Sequence, residues 1–146
     1  MRESAFWRDG SSMAGYSGKP LAQKLGVKPG VTVAALNAPR NYRALLRPLP
    51  AGAKIQPKLG KSAPFIHFFS KRRAELARRF PSFARALTPD GTLWISWPKG
   101  TSGVATDLTE DVVRTIGLAS GLVDVKVCAV DDVWSGLKFV RRLKDR

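Results

Sequence analysis

The sequence predicts a three-layer α/β fold with a mainly parallel sheet that closes in a C-terminal antiparallel hairpin. Short, continuous apolar runs, which are typical of strands covered on both faces, alternate with amphipathic helical segments. Right-handed crossovers between such strands place helices on both faces of the sheet. The last two apolar runs are joined by a short polar turn, which is typical of a hairpin.

The first part of the chain predicts two short helices and two strands. "GKPLAQKLG" places Pro20 in a first helical turn and Gly26 as a stop, so we expect a short helix there. "VTVAAL", from Val31, predicts the first central strand. Residues 40–47 predict a helix that the prolines of "RPLP" end, and "AKIQP" predicts a weak strand.

The second part predicts longer elements. "PFIHFFS" predicts a buried strand, and residues 71–87 predict a helix that Pro81 kinks or divides. "TPDG" predicts a turn before the buried strand "TLWISW". Asp107, with Glu110 three residues later, predicts the N-cap of a further helix that Gly121 ends. "VDVKVCAV" and "GLKFVRR" complete the hairpin, so the fold is Rossmann-like.

The length of 146 residues suits one domain. We expect residues 15–146 to form it and residues 1–14 to be a disordered tail or an upstream extension. No apolar run approaches the roughly 20 residues that a membrane span needs, and the N-terminus does not resemble a secretory signal. The sequence therefore predicts a soluble, cytoplasmic protein.

The chain has one cysteine, Cys128, and one histidine, His67. A single cysteine excludes an internal disulfide, and this pair offers few ligands for a transition metal. Both residues lie inside apolar strand-like runs, so we expect them to pack in the core. The sequence accordingly predicts no catalytic residue and no transition-metal site, and a hard cation held by carboxylates stays open as an alternative.

The net charge of +14 is unevenly distributed along the chain. Residues 15–106 contain 16 Lys and Arg but only two acids, Glu75 and Asp90, whereas residues 107–146 contain seven residues of each sign. Such a field favours an anionic partner such as nucleic acid, the ribosome surface or acidic lipid. Alternatively, the basic side chains form an ordinary solvated surface.

Ligands of open α/β sheets bind beyond the carboxyl ends of the strands, which selects the loop "NAPRNY" after the first strand. A nucleotide loop needs glycine for close backbone approach, and this loop has none. We therefore expect Asn37 to cap the following helix with Pro39 in its first turn. Arg40 and Arg43 are candidates to hold an anion.

Two other loops carry candidate ligand contacts. In "SWPKGTSG", Trp97 can stack on a ligand, Lys99 can pair with an anion and Ser102 supplies a hydroxyl near a helix start. In "DDVWSG", Trp134 covers a pocket or packs beneath a turn. Asn37, Trp97, Lys99, Ser102 and Trp134 form the predicted ligand site.

A row of basic residues follows the predicted helix after "FIHFF". Lys71, Arg78 and Arg85 recur every seven residues, and Arg79 flanks them. Such a row can track phosphates, and it is also typical of a solvated helix face. No aromatic residue is interleaved with it, although base-stacking surfaces require one.

Three stretches carry a family resemblance: "MAGYSGKPLAQKLGVKPG", "SWPKGTSGVATDLTEDVVR" and "LVDVKVCAVDDVWSGLKFV". Over nearly all of residues 13–143 the sequence resembles a bacterial family of small proteins known as a domain of unknown function, which implies no activity. The layout also resembles the class I methyltransferase core. Unlike that core, this chain lacks a glycine loop after the first strand and has Gln56, not an acid, after the second.

We therefore expect a degenerate methyltransferase-like fold that acts as a non-catalytic binding or regulatory domain for an anionic ligand or partner, without a cofactor. Two alternatives stay open. The first is a divergent S-adenosylmethionine-dependent methyltransferase, and the second is a basic nucleic-acid-binding protein.

Overall fold

The structure, a computed structural model, describes residues 18–146. The predicted tail, residues 1–14, lies outside these residues. Within the described part of the chain, no helix has the length and apolar character needed to cross a membrane.

The helices and strands alternate along the chain much as the sequence predicts. In order they are α1 (Leu21–Leu25), β1 (Thr32–Leu36), α2 (Tyr42–Leu45), β2 (Lys54–Gln56), β3 (Ala63–Phe69), α3 (Arg73–Ala86), β4 (Leu87–Pro98), α4 (Glu110–Ala119), β5 (Leu122–Ala129) and β6 (Trp134–Arg141). Two short 3₁₀ helices, Gly100–Ser102 and Leu143–Asp145, follow β4 and β6.

The strands form one six-stranded sheet in the order β2-β1-β3-β4-β6-β5. β1 pairs in parallel with β2 and β3, and β3 pairs in parallel with β4. β6 is antiparallel to both of its neighbours, so the C-terminal hairpin inserts its second strand beside β4. The predicted mixed, mainly parallel α/β fold is confirmed.

Alternate residues of the strands face two separate apolar clusters, one on each side of the sheet. On β1, Ala34 and Leu36 belong to the cluster beneath α3 and α4, whereas Val33 and Ala35 belong to the cluster beneath α1 and α2. This period of two is the consequence of strand geometry. It produces the three layers, with helices on both faces.

The connection between α3 and β4 differs from the sequence expectation. α3 is one continuous helix with Pro81 inside it, so the proline does not divide the helix, and the alternative of a kink stays a prediction. "TPDG" lies within β4 instead of forming a separate turn. The register between β3 and β4 shifts between the pairs Ala63↔Leu87 and Phe65↔Thr92, so these residues occupy a bulge.

Candidate functional site

The strand order reverses between β1 and β3, because the chain moves outward from β1 to β2 and then returns to the other side of β1. Ligands of open α/β sheets bind at such a point, outside the carboxyl ends of the strands. A cleft of about 460 Å³ lies there, and we call it the strand-end cleft. Its lining residues are Asn37, Pro39, Phe69, Ser70, Lys71, Arg72, Glu75 and Trp134.

A carboxylate ties the ends of β1 and β3 together in this cleft. Glu75, in the first turn of α3, accepts a 2.7 Å hydrogen bond from Ser70 Oγ and a 3.3 Å bond from Asn37 Nδ2. The backbone N–H of Arg72 donates to Ser70 Oγ at 3.2 Å. Glu75 is thus oriented by neutral donors, without an ion pair among the described residues.

The predicted capping role of Asn37 is wrong. The N-cap of α2 is Asn41, and Asn37 instead adopts the left-handed conformation, with φ of 56°. Asn tolerates this region better than most residues. The turn directs the amide of Asn37 toward Glu75, 38 residues further along the chain.

The start of α3 is held by the loop that precedes α4. Asp107 Oδ1 accepts a 2.7 Å hydrogen bond from the backbone N–H of Arg73, and Thr106 Oγ1 donates to the carbonyl of Lys71 at 2.7 Å. The N-cap of α4 is Thr109, whose hydroxyl accepts from the N–H of Val112. The prediction that Asp107 caps α4 is therefore wrong, since it caps α3.

Aromatic rings line the apolar side of the cleft. Trp134 lies edge-on to Phe69, with ring centroids 5.0 Å apart. Asp131 positions Trp134, because its Oδ1 accepts from the backbone N–H groups of Val133 and Trp134 at 2.9 and 2.8 Å. This carboxylate therefore shapes the hairpin turn, while the tryptophan covers the cleft.

Beneath Phe69 lies a buried polar chain. His67 stacks on Phe69 with 4.2 Å between ring centroids, its Nδ1 lies 2.8 Å from Tyr42 Oη, and its Nε2 lies 2.7 Å from Ser96 Oγ. Complete burial lowers the pKa of His67 to about 3. The ring is therefore neutral near pH 7 and sealed from the cleft. The predicted core positions of His67 and Cys128 are confirmed.

Three residues of the predicted ligand site, at the end of β4 and in the loop that follows, do not line the cleft. Trp97 is 5% exposed and packs in the apolar cluster beneath α3 and α4. The N–H of Lys99 donates to the carbonyl of Val133 at 2.7 Å, and Ser102 Oγ donates to the carbonyl of Lys99 at 2.7 Å. None of these three residues lines the cleft, whereas Asn37 and Trp134 do.

The predicted anion contacts are similarly divided. Lys71 lines the cleft, and the Arg43 guanidinium donates to the carbonyl of Ile55 at 3.2 Å. Arg79 lies over the Phe68 and Phe83 rings, 5.1 and 5.5 Å from their centroids. Three further arginines of the predicted set are exposed: Arg40, Arg78 and Arg85. The row of Lys71, Arg78 and Arg85 is therefore exposed, whereas the flanking Arg79 packs on aromatic rings.

Sequence reasoning missed Glu75, and it left Ser70 out of the predicted ligand site although Ser70 directly follows the apolar run "FIHFF". The available signal was compositional: Glu75 is one of only two acids between residues 15 and 106. Such an isolated acid in a basic region is a candidate for a specific role. Its partners depend on how α3 docks on the sheet, which no local pattern reveals.

Comparisons with solved structures identify the fold. A possible exported protein from Bordetella parapertussis has a TM-score of 0.59 and 11% identity, over 82% of this chain and 64% of that one. An S-adenosylmethionine-dependent methyltransferase from Aquifex aeolicus has a TM-score of 0.63 and 14% identity, over 82% and 86%. A chain in the complex of the Haloferax volcanii Trm112 methyltransferase activator with a methyltransferase has a TM-score of 0.60 and 13% identity, over 82% and 86%.

This chain therefore spans less than two thirds of the Bordetella protein and most of the two chains from the methyltransferase structures. No protein-family model matches the sequence, and no curated protein is similar to it in sequence. At these identities the similarity concerns architecture alone. The chain has a methyltransferase-like Rossmann fold.

The residues at the strand ends fit S-adenosylmethionine poorly. Residues 37–39 contain no glycine, and Pro39 has no N–H to offer a ligand. Gln56, the last residue of β2, donates its side-chain amide to the carbonyl of Lys58 at 3.2 Å. A carboxylate that could accept from ribose hydroxyls is therefore not at the end of β2, where nucleotide-binding sheets place it.

Proposed function

We propose that this chain is a non-catalytic binding domain whose strand-end cleft holds a small ligand with an anionic group and an amine. One observation carries the proposal. The carboxylate of Glu75 is fixed in the cleft by Asn37 and Ser70, while Lys71 and Arg72 line the same cleft. The cleft therefore offers both signs of charge at the point where this fold binds ligands.

The positive and negative charges in the cleft determine which class of ligand it favours. Lys71 and Arg72 attract a phosphate or carboxylate group, and arginine can bind either in a bidentate manner. Glu75 accepts hydrogen bonds and repels a purely anionic ligand, so it favours a ligand that also carries an ammonium group. Phe69 and Trp134 contact the apolar part of such a ligand.

The buried groups support binding without catalysis. General acid–base chemistry near pH 7 usually needs a group whose pKa lies near 7 and that reaches the ligand. His67 is the only histidine in the chain, and burial lowers its pKa to about 3. Tyr42 caps its Nδ1 side, and burial raises the pKa of this phenol above its usual range. Neither group is suited to exchange a proton with a ligand in the cleft.

Isothermal titration calorimetry with two matched probes tests the proposal. O-phosphoserine carries a phosphate, a carboxylate and an ammonium group, and 3-phosphoglycerate replaces the ammonium group with a hydroxyl. We expect O-phosphoserine to bind more tightly, and the double variant Lys71→Ala/Arg72→Ala to weaken its binding by about tenfold or more, since charged hydrogen bonds are lost. Glu75→Gln should abolish the preference for the amine.

Arg78→Ala is the matched control, because this exposed arginine lies on α3 but does not line the cleft. It should leave both affinities unchanged. Equal binding of the two probes, or unchanged binding by the Lys71→Ala/Arg72→Ala variant, would contradict the proposal.

The second candidate is a divergent methyltransferase, which the architectural similarity to the Aquifex aeolicus enzyme favours. This alternative requires S-adenosylmethionine to bind despite the loop without glycine. Titration with millimolar S-adenosylmethionine tests this requirement, and an absence of saturable binding would reject the enzyme. Saturable binding would favour the enzyme only if S-adenosylhomocysteine also forms on incubation, because a non-catalytic domain of the proposed specificity could bind the carboxylate and ammonium groups of this cofactor without transferring its methyl group.

A further inference from the structure

A second pocket lies at the opposite end of the parallel strands, where β1, β3 and β4 begin. Its volume is about 330 Å³, and we call it the strand-start pocket. The turn after α1 contributes Gly26 and Lys28, the β4 bulge contributes Asp90, β6 contributes Lys138, and the C-terminus contributes Arg146. Small-molecule sites begin at about this volume.

Lys28 and Lys138 line this pocket, and Asp90 is the one acid in its lining. β5 and β6 pair Lys126 directly with Lys138, so both side chains project from the same face of the sheet. Among the described ion pairs, none involves Lys28, Lys126 or Lys138. Burial, followed by repulsion from Lys126 and Lys28, lowers the pKa of Lys138. The ammonium groups of Lys28 and Lys126 thus lie close enough to Lys138 to disfavour its charged form.

Neighbouring polar groups do not neutralise this charge. Asp90 lines the pocket, but its carboxylate accepts only a long 3.5 Å bond from Thr88 among the described contacts and forms no ion pair with Lys138. The carbonyl of Leu25, at the end of α1, accepts a 2.8 Å hydrogen bond from Trp94 Nε1. Gly26 adds no side chain there, and a Cβ at this position would lie 3.9 Å from Lys138 Nζ.

We propose that the strand-start pocket binds the phosphate group of a small phosphorylated molecule. A multiply charged phosphate oxyanion balances the excess of basic over acidic residues in the lining, and it accepts several hydrogen bonds from ammonium donors. Arg146 also lines the pocket, and its Nε donates to the carbonyl of Arg141 at 3.0 Å. The site is separate from the strand-end cleft, because the two lie at opposite ends of the parallel strands.

Calorimetric titration of the full chain with pyrophosphate tests this site. Lys138→Gln should weaken binding by about tenfold, because it removes a charged hydrogen-bond donor. Lys138→Arg should retain most of the affinity. Asp90→Asn should strengthen binding severalfold, because it removes the one acid that lines the pocket.

The Asp90→Asn variant keeps the proposal falsifiable even if Lys138→Gln folds poorly. Arg78→Ala, an exposed arginine of α3 that lines neither pocket, is the matched control and should bind pyrophosphate as the unmodified chain does. Absence of pyrophosphate binding, or equal affinity in the unmodified, Lys138→Gln and Asp90→Asn chains, would overturn the proposal. Binding of a ten-nucleotide single-stranded DNA without binding of pyrophosphate would also overturn it, since that result indicates a charged surface and not a pocket.

Discussion

The two helix layers are attached to the sheet in different ways. α3 and α4, with 14 and 10 residues, cover an apolar cluster that includes Phe80, Phe83 and Phe139. α1 and α2 have only five and four residues. Hydrogen bonds from buried sheet residues reach both: Trp94 donates to the carbonyl of Leu25, and His67 pairs with Tyr42.

Helix length explains this difference. A long amphipathic helix buries enough apolar area to be located by packing alone, whereas helices of one turn are marginal without specific partners. Buried polar pairs are costly when broken, so they define a position more strictly than apolar contacts do. The short-helix layer therefore depends more on buried hydrogen bonds from the sheet, whereas the long-helix layer is located mainly by apolar packing. Polar contacts between helix and sheet in the long-helix layer lie nearer the surface, such as the 2.9 Å bond from Arg114 of α4 to Asp124 of β5.

The largest effect on stability is expected from a substitution that leaves a cavity in the apolar cluster beneath α3 and α4. Phe83 is fully buried, with its ring centroid 4.7 Å from that of Phe68 and 6.3 Å from that of Phe80. Phe83→Ala should lower the free energy of unfolding by about 3–5 kcal/mol, because it removes a large apolar side chain and leaves a cavity. Urea denaturation measures this, and Arg78→Ala, exposed on the same helix, should change stability by less than about 0.5 kcal/mol. A loss below about 1 kcal/mol for Phe83→Ala would show that packing does not locate α3.

A smaller, pH-dependent effect on the free energy of unfolding is expected from His67, which is buried beneath the short-helix layer. The pKa of His67 is about 3 in the folded chain and about 6.5 when exposed, so the unfolded state binds the proton more readily. The folded state therefore has its full stability above pH 6.5 and loses it progressively as the pH falls toward 3. This residue alone should reduce the free energy of unfolding by about 2 kcal/mol between pH 7 and pH 5.

His67→Gln provides the comparison, because glutamine does not titrate. At pH 7 we expect this variant to be less stable by about 1–3 kcal/mol, since Tyr42 and Ser96 lose their partner. Its stability should then fall less steeply with acid than that of the unmodified chain. Identical slopes between pH 7 and pH 5 would mean that the histidine is not held neutral in the folded state.

The fold could be predicted from the sequence largely because its strands are buried on both faces. "VTVAAL", "FIHFF" and "TLWIS" are continuous apolar runs, and the structure places all three in the centre of the sheet. The bulge at "TPDG" could not be predicted, because turn residues favour a turn and a bulge equally. The continuity of α3 through Pro81 could not be predicted either, because local pattern does not show that tertiary packing maintains the helix there.

The candidate site was predicted in part. Asn37 and Trp134 follow from the rule that ligands bind at strand ends, because each residue directly flanks an apolar run. Trp97 obeys the same rule but faces the other layer, since residue parity along β4 directs it beneath α3 and α4. Glu75 could not be predicted as a site residue, because its hydrogen bond with Asn37, 38 residues away in the chain, depends on how α3 docks on the sheet.

The smallest effect on stability is expected from removing the side chains that cap α3 and α4. Local pattern alone assigns Asp107 to α4, but its carboxylate accepts from Arg73 N–H, and Thr109 caps α4. Asp107→Ala and Thr109→Ala should each cost about 1 kcal/mol. Hydrogen exchange distinguishes them: the first variant should accelerate exchange of the Arg73 amide, and the second should accelerate exchange of the Val112 amide. Faster exchange at Val112 in Asp107→Ala would reverse the cap assignment.

Because the first turn of α3 carries Glu75, Asp107→Ala should also weaken O-phosphoserine binding in the strand-end cleft, whereas Thr109→Ala should not.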